Sequence, residues 1–187
     1  MESDKRGLLI IGQPWMIFIM LGTFLLILAL INTRGLAISS LALQEAAGGL
    51  TILDTRLVYN PTDVDQFLKA LGAEGRTAYQ LTHLTLDLVF PIAYSLFFAG
   101  ASLWLTGKLG LSTPQKQKVA LLLLLAGVFD LLENFSIMGM VAAFPTQVNA
   151  LALLSQLFTL IKFGLFAINV IFLVILIVMA IKQRKMS

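Results

Sequence analysis

Two carboxylates and an amide, Asp130, Glu133 and Asn134, stand near the midpoint of Val119–Phe144, an otherwise largely apolar run of 26 residues. As a helix rising about 1.5 Å per residue, the run is about 39 Å long, enough to cross a hydrocarbon core of about 30 Å. The acids then lie close to the bilayer midplane, where an ionised Asp costs about 2.5–3.5 kcal/mol. Such groups are either compensated by other side chains or placed there for chemistry. A carboxylic acid held neutral in that setting is a competent proton donor. Asp130 and Glu133 are therefore the candidate proton donor and acceptor.

Depth identifies their partners. Glu133 and Asp130 lie 11 and 14 residues from Phe144, and Lys162 lies 12 residues beyond Ala150. Matched depth predicts an ion pair between Lys162 and Glu133 or Asp130. Ser155, Thr159, Lys162, Phe166 and Asn169 recur at helical spacing and form one stripe. Tyr79, His83, Asp87 and Tyr94 form a second, with Ser95 beside the last, and four-residue spacing lets His83 and Asp87 touch. His83 with Asp87 could relay a proton or orient a ligand. Arg76, Tyr79, Tyr94, Asn134, Ser155, Thr159 and Lys162 are the candidate ligand contacts.

Asp87, Asp130 and Glu133 against Lys162 leave a formal excess of two negative charges. A proton, a charged His83, Arg76 dipping from the outer surface or a bound cation would balance it. A carboxylate metal site from His83, Asp87, Asp130 and Glu133 is the weaker reading, and no metal or cofactor is assigned. A cluster that only fixes helix register is the structural alternative. Aromatic side chains such as Phe90, Phe97, Phe98, Phe129 and Phe135 read as packing.

Composition excludes much else. Hydrophobic residues make up 58% and charged ones 12%, against about 45–50% and 25% in soluble domains. With no cysteine there is no thiolate nucleophile or ligand, and one histidine excludes a three-histidine zinc site or a two-histidine di-iron bundle. No P-loop, dinucleotide fingerprint or Gly-x-Ser-x-Gly elbow occurs. The basic residues cluster at span ends, which argues against nucleic acid as a partner.

The elements that must position these groups are four spans: about 8–31, 83–106, 119–144 and 151–181. The first is too long for a signal peptide's apolar region, carries Trp15 as an interfacial anchor, and lacks charges, so it faces lipid. Pro91 should kink the second. Between the first two, residues 32–82 form a long loop containing an interfacial segment and a short helix. That helix is capped by Asn60, begins at Pro61 and ends at Gly72, with Val64, Phe67, Leu68 and Leu71 on one face. A loop this long should cap one end of the bundle. Lys5, Arg6, Lys108, Lys116, Lys118, Lys182, Arg184 and Lys185 fall on one side. The loop's four basic residues are outnumbered by five acids. The positive-inside rule then places both termini in the cytoplasm and the loop outside, in a plasma (inner) membrane.

Gly75-Arg76, Tyr79, Asp87, Phe90-Pro91, Tyr94 and Asp130-Leu131-Leu132-Glu133-Asn134 together resemble a group of small four-span bacterial membrane proteins of no assigned activity. The resemblance covers roughly residues 54–162 and implies a four-helix membrane fold without implying a reaction. By analogy only, a buried acid and histidine near aromatics is also how membrane sterol isomerases and terpene cyclases work.

The expectation is therefore an all-α integral membrane protein, a four-helix transmembrane bundle forming one domain, with a long extracytoplasmic loop containing short helices. Its polar pocket would bind a small amphipathic, lipid-like molecule, with intramembrane acid–base chemistry as an option and membrane lipids as neighbours. The alternatives are an accessory subunit of a larger membrane complex and a proton-coupled carrier.

Overall fold

The computed structural model describes residues 10–186, which are helical throughout apart from turns and short connections. The order is α1 (Pro14–Ile31), α2 (Ser40–Ala46), a 3-10 turn (Leu53–Thr55), α3 (Pro61–Leu84), α4 (Leu86–Lys108), α5 (Thr113–Ala143) and α6 (Asn149–Met186). Four helical stretches are long and apolar enough to cross a membrane: α1, α3 with α4, α5 and α6. The expected start of the first span at Leu8, with Lys5 and Arg6, lies outside the described residues.

The centre of the bundle is α4, which packs on α5 and α6, while α1 lies against α4. Only Ile27 of α1 is buried, so that helix presents apolar side chains outward along almost its whole length, as its lack of charge predicts. Between α4 and α5 the backbones come close. A Cβ on Gly127 would sit 2.8 Å from the Pro91 carbonyl oxygen and 2.6 Å from Ser95 Oγ, so only glycine fits that crossing.

The second span has a break that its sequence does not mark. Its helix breaks at Thr85, with φ −122° and ψ −83°, six residues before Pro91. Pro91 sits inside α4. Lacking an N–H, it leaves the Asp87 carbonyl one turn earlier without its helical donor. Asn134 Nδ2 of α5 fills that gap at 2.6 Å.

Residues 32–82 are also more helical than a loop. Asn60 caps α3 by accepting from Thr62 N and Asp63 N, and the Asp63 carboxylate accepts from Asn60 N in return. Gly72 turns the chain at φ 66°, where an L-residue would be strained. The short helix ends there as expected, and what the sequence did not show is that a second helical stretch follows at once from Ala73 to Leu84, where alanine, glutamate and arginine around Gly75 favour helix again. The apolar face Val64, Phe67, Leu68 and Leu71 joins Leu43, Ala47, Leu53, Tyr59 and Tyr79 in one core with Ile137, Met140 and Val141 of α5 and Ala152 of α6. This segment therefore covers the end of the bundle where α5 passes into α6. Leu43 and Ala47 of the expected interfacial segment face this core.

Candidate functional site

Lys162, Asp130 and Glu133, matched in distance from the helix ends, meet as that matching predicts. Lys162 Nζ lies 3.2 Å from Asp130 Oδ1 and pairs also with Glu133 Oε2. Each acid has a further donor: Tyr94 O–H donates to Asp130 Oδ2 at 3.0 Å, and the Thr159 hydroxyl donates to Glu133 Oε1. The group is thus built from α4, α5 and α6 together. Satisfied partners are what make such burial tolerable, because a charge left alone there would lose hydration without recompense.

The two acids are not equivalent. Glu133 is fully enclosed, whereas Asp130 borders a cavity of about 140 Å³ lined by Phe90, Tyr94, Asp130, Lys162, Phe163 and Phe166. Tyr94 is held edge-on by rings from three helices, Phe24 of α1 at 6.2 Å, Phe90 at 5.4 Å and Phe166 at 5.2 Å between centroids. Phe90 therefore does more than pack. Phe97 and Phe98 do belong to the packed core, Phe129 pairs with Phe158, and Phe135 points away from it, exposed.

A second polar group lies nearer the capped end. His83 Nδ1 is 2.9 Å from the Tyr79 carbonyl oxygen and 3.8 Å from Asp87 Oδ2. The break at Thr85 falls between His83 and Asp87 without separating them. Tyr79 O–H donates to Asp54 Oδ1 at 3.2 Å, and its ring meets the His83 ring at 4.5 Å. Asn134 joins the two groups by holding the Asp87 carbonyl.

Ser155 serves the cap. Its Oγ accepts from Tyr59 O–H at 2.7 Å, a contact between residue 59 of the connecting segment and α6. Burial pushes the Tyr59 phenol up to about 12, against weaker lowering by Ser155 and Thr159, so it keeps its donor hydrogen at neutral pH. Arg76 stays outside the cluster. Its Nη1 donates to the Leu68 carbonyl at 2.8 Å and its guanidinium sits 4.2 Å from the Phe144 ring centroid. It therefore supplies none of the balancing charge.

Of the candidate residues, Tyr94, Asp130 and Lys162 reach the cavity. Glu133 and Thr159 stand behind Lys162, while Tyr79, His83 and Asp87 form the separate group. Sequence reasoning missed Asp54 and Tyr59. Both lie in the connecting segment, where spacing along a helix gives no clue to a partner some 25 or 96 residues away. It also missed that Asn169 donates to the Leu123 carbonyl at 2.9 Å, one more tie between α5 and α6.

Comparison of the chain with protein-family models, curated proteins and solved structures gave no match. Fold and site define an all-helical protein with four helices suited to a membrane and a buried acid–lysine–tyrosine cluster at their centre.

Proposed function

We propose that the chain is a multi-pass protein of the bacterial plasma (inner) membrane, similar to other small four-span proteins there, that binds a lipid-like amphipathic molecule. The binding site in this reading is the Phe90–Tyr94–Asp130–Lys162–Phe163–Phe166 cavity. The single observation that carries it is a pocket with aromatic walls and an ion pair at its base, inside an apolar bundle.

Size and charge narrow the ligand. At about 140 Å³, the cavity is close to the roughly 150 Å³ that accepts a benzene-sized molecule. It takes the head or one ring of an amphipath, with the remaining chain lying along the apolar surface outside. Lys162 is already matched by two carboxylates, so an anionic head gains little there. A neutral, hydrogen-bonding head such as a hydroxyl or carbonyl, or a cationic one, fits better. Acid–base chemistry, where it occurs, falls to Asp130 and Lys162, with Glu133 tuning Lys162 and Tyr94 orienting Asp130.

Mass spectrometry of molecules retained by the detergent-purified protein tests this. The expected result is a defined lipid-like species held by the wild type and lost from Asp130→Asn and from Phe166→Trp, which fills the cavity, with both variants still folded. A folded Asp130→Asn protein with unchanged ligand content overturns the reading and leaves the cluster structural, as an accessory subunit would have it.

A further inference from the structure

Asp54, His83 and Asp87 come from three different elements, the 3-10 turn, α3 and α4. One ring nitrogen of His83 and one carboxylate oxygen from each acid lie within 4.8 Å of one another. Among the described residues this is the one such grouping of potential metal ligands. Acidic clusters alone mean little, but a second observation bears on this one. His83 is 1% exposed, and its Nε2 has no hydrogen-bond partner. Nδ1 faces the Tyr79 carbonyl at 2.9 Å, an acceptor, so the neutral ring carries its hydrogen on Nδ1. The Nε2 lone pair is then bare and enclosed. Neither neighbouring carboxylate can answer it, since an ionised carboxylate only accepts. A cation satisfies all three at once.

We infer that Asp54, His83 and Asp87 form a site for one divalent transition-metal ion, bound through one imidazole nitrogen and two carboxylates with a position left for water. The donor set suits zinc or its first-row neighbours better than calcium or magnesium, which prefer oxygen throughout. The supports are those of a metal site. A carbonyl on Nδ1 fixes the tautomer that leaves Nε2 to bind, and the Tyr79 hydroxyl holds Asp54. Metal ligands at about 2.1 Å in a tetrahedron lie about 3.4 Å apart. The candidate ligand atoms, already within 4.8 Å of one another, reach that spacing by drawing in around the ion. Asp54 is half-buried, so the ion enters from the capped end. It would clip that cap to the bundle across the break at Thr85. The site stands apart from the Asp130–Lys162 cavity and does not depend on what fills it.

The test uses the full-length, tag-free protein in detergent, stripped with chelator and titrated with Zn²⁺ by calorimetry and with Co²⁺ by visible absorption. One ion per chain is expected, with ligand-field bands for Co²⁺ and a raised thermal midpoint. Asp54→Asn and Asp87→Asn should each weaken binding by at least about tenfold, and Tyr79→Phe, acting through Asp54, by about tenfold. Asp65→Asn, an acid on the same cap, should leave it unchanged. If Asp87→Asn fails to fold, half-exposed Asp54 still decides the matter. No binding by folded wild-type protein overturns the site, as does binding that Asp54→Asn leaves intact or that Asp65→Asn weakens equally.

Discussion

Lys162 carries the most consequential contacts of any single side chain, since it neutralises part of two acids that no other cation reaches in the described residues. Its removal strands both, and breaking a buried ion pair from one side costs about 3–5 kcal/mol. Lys162→Met is therefore expected to destabilise the protein by about that much in a detergent-micelle unfolding titration. Adding Glu133→Gln should recover part of the loss. Glu133 is the fully enclosed acid, whereas Asp130 keeps the Tyr94 hydrogen bond and borders the cavity. A double variant no more stable than Lys162→Met alone would refute this ranking of the two acids.

At the scale of elements, the crossing of α4 and α5 sets the geometry on which the Asn134–Asp87 and Tyr94–Asp130 contacts depend. It is close because Gly127 meets the Pro91 carbonyl directly, and Pro91 in turn releases the Asp87 carbonyl that Asn134 takes. Proline and glycine, usually read as helix breakers, here work as a pair across two helices. Gly127→Ala should cost about 1–3 kcal/mol, the usual penalty for overpacking. Ser95→Ala should fail to rescue it, because the Pro91 carbonyl, a backbone atom 2.8 Å from the new Cβ, cannot rotate away. Thermal unfolding of the single and double variants decides this, and full rescue by Ser95→Ala would place the obstruction at the serine hydroxyl instead.

For the whole molecule, the cap and the Lys108–Lys118 linker lie at opposite ends of the bundle, since the 40–79 core packs where α5 meets α6. With Lys108, Lys116, Lys118, Lys182, Arg184 and Lys185 at the other end, the expected arrangement has the cap outside and the Lys108–Lys118 linker in the cytoplasm. The absence of native cysteine makes labelling simple. Asp63→Cys should react with an impermeant maleimide in intact cells, and Lys116→Cys only after the membrane is opened. Labelling of Lys116→Cys from outside would invert the topology.

Periodicity and depth made much of this protein legible from its sequence. Apolar run lengths identified the four long helices because crossing a hydrocarbon layer demands a near-fixed length. Matched distances from the span ends found the Lys162 pairing because depth is shared by every helix in a bundle. Asn60 and Pro61 marked the start of α3 through local backbone chemistry alone. Other features needed the folded chain. The break at Thr85 falls at no glycine or proline, and the donor that answers the Asp87 carbonyl freed by Pro91 is Asn134 of another helix. Glu133 and Asp130 look alike in sequence, and only the placement of Phe90, Phe163 and Phe166 leaves Asp130 beside the cavity while Glu133 is enclosed. The contacts of Asp54 and Tyr59 belong to a segment without one repeating period, so no spacing rule reaches them. The sequence by itself determined which groups share a depth. Tertiary structure decided which of them share a cavity, because that depends on how each helix is rotated about its own axis.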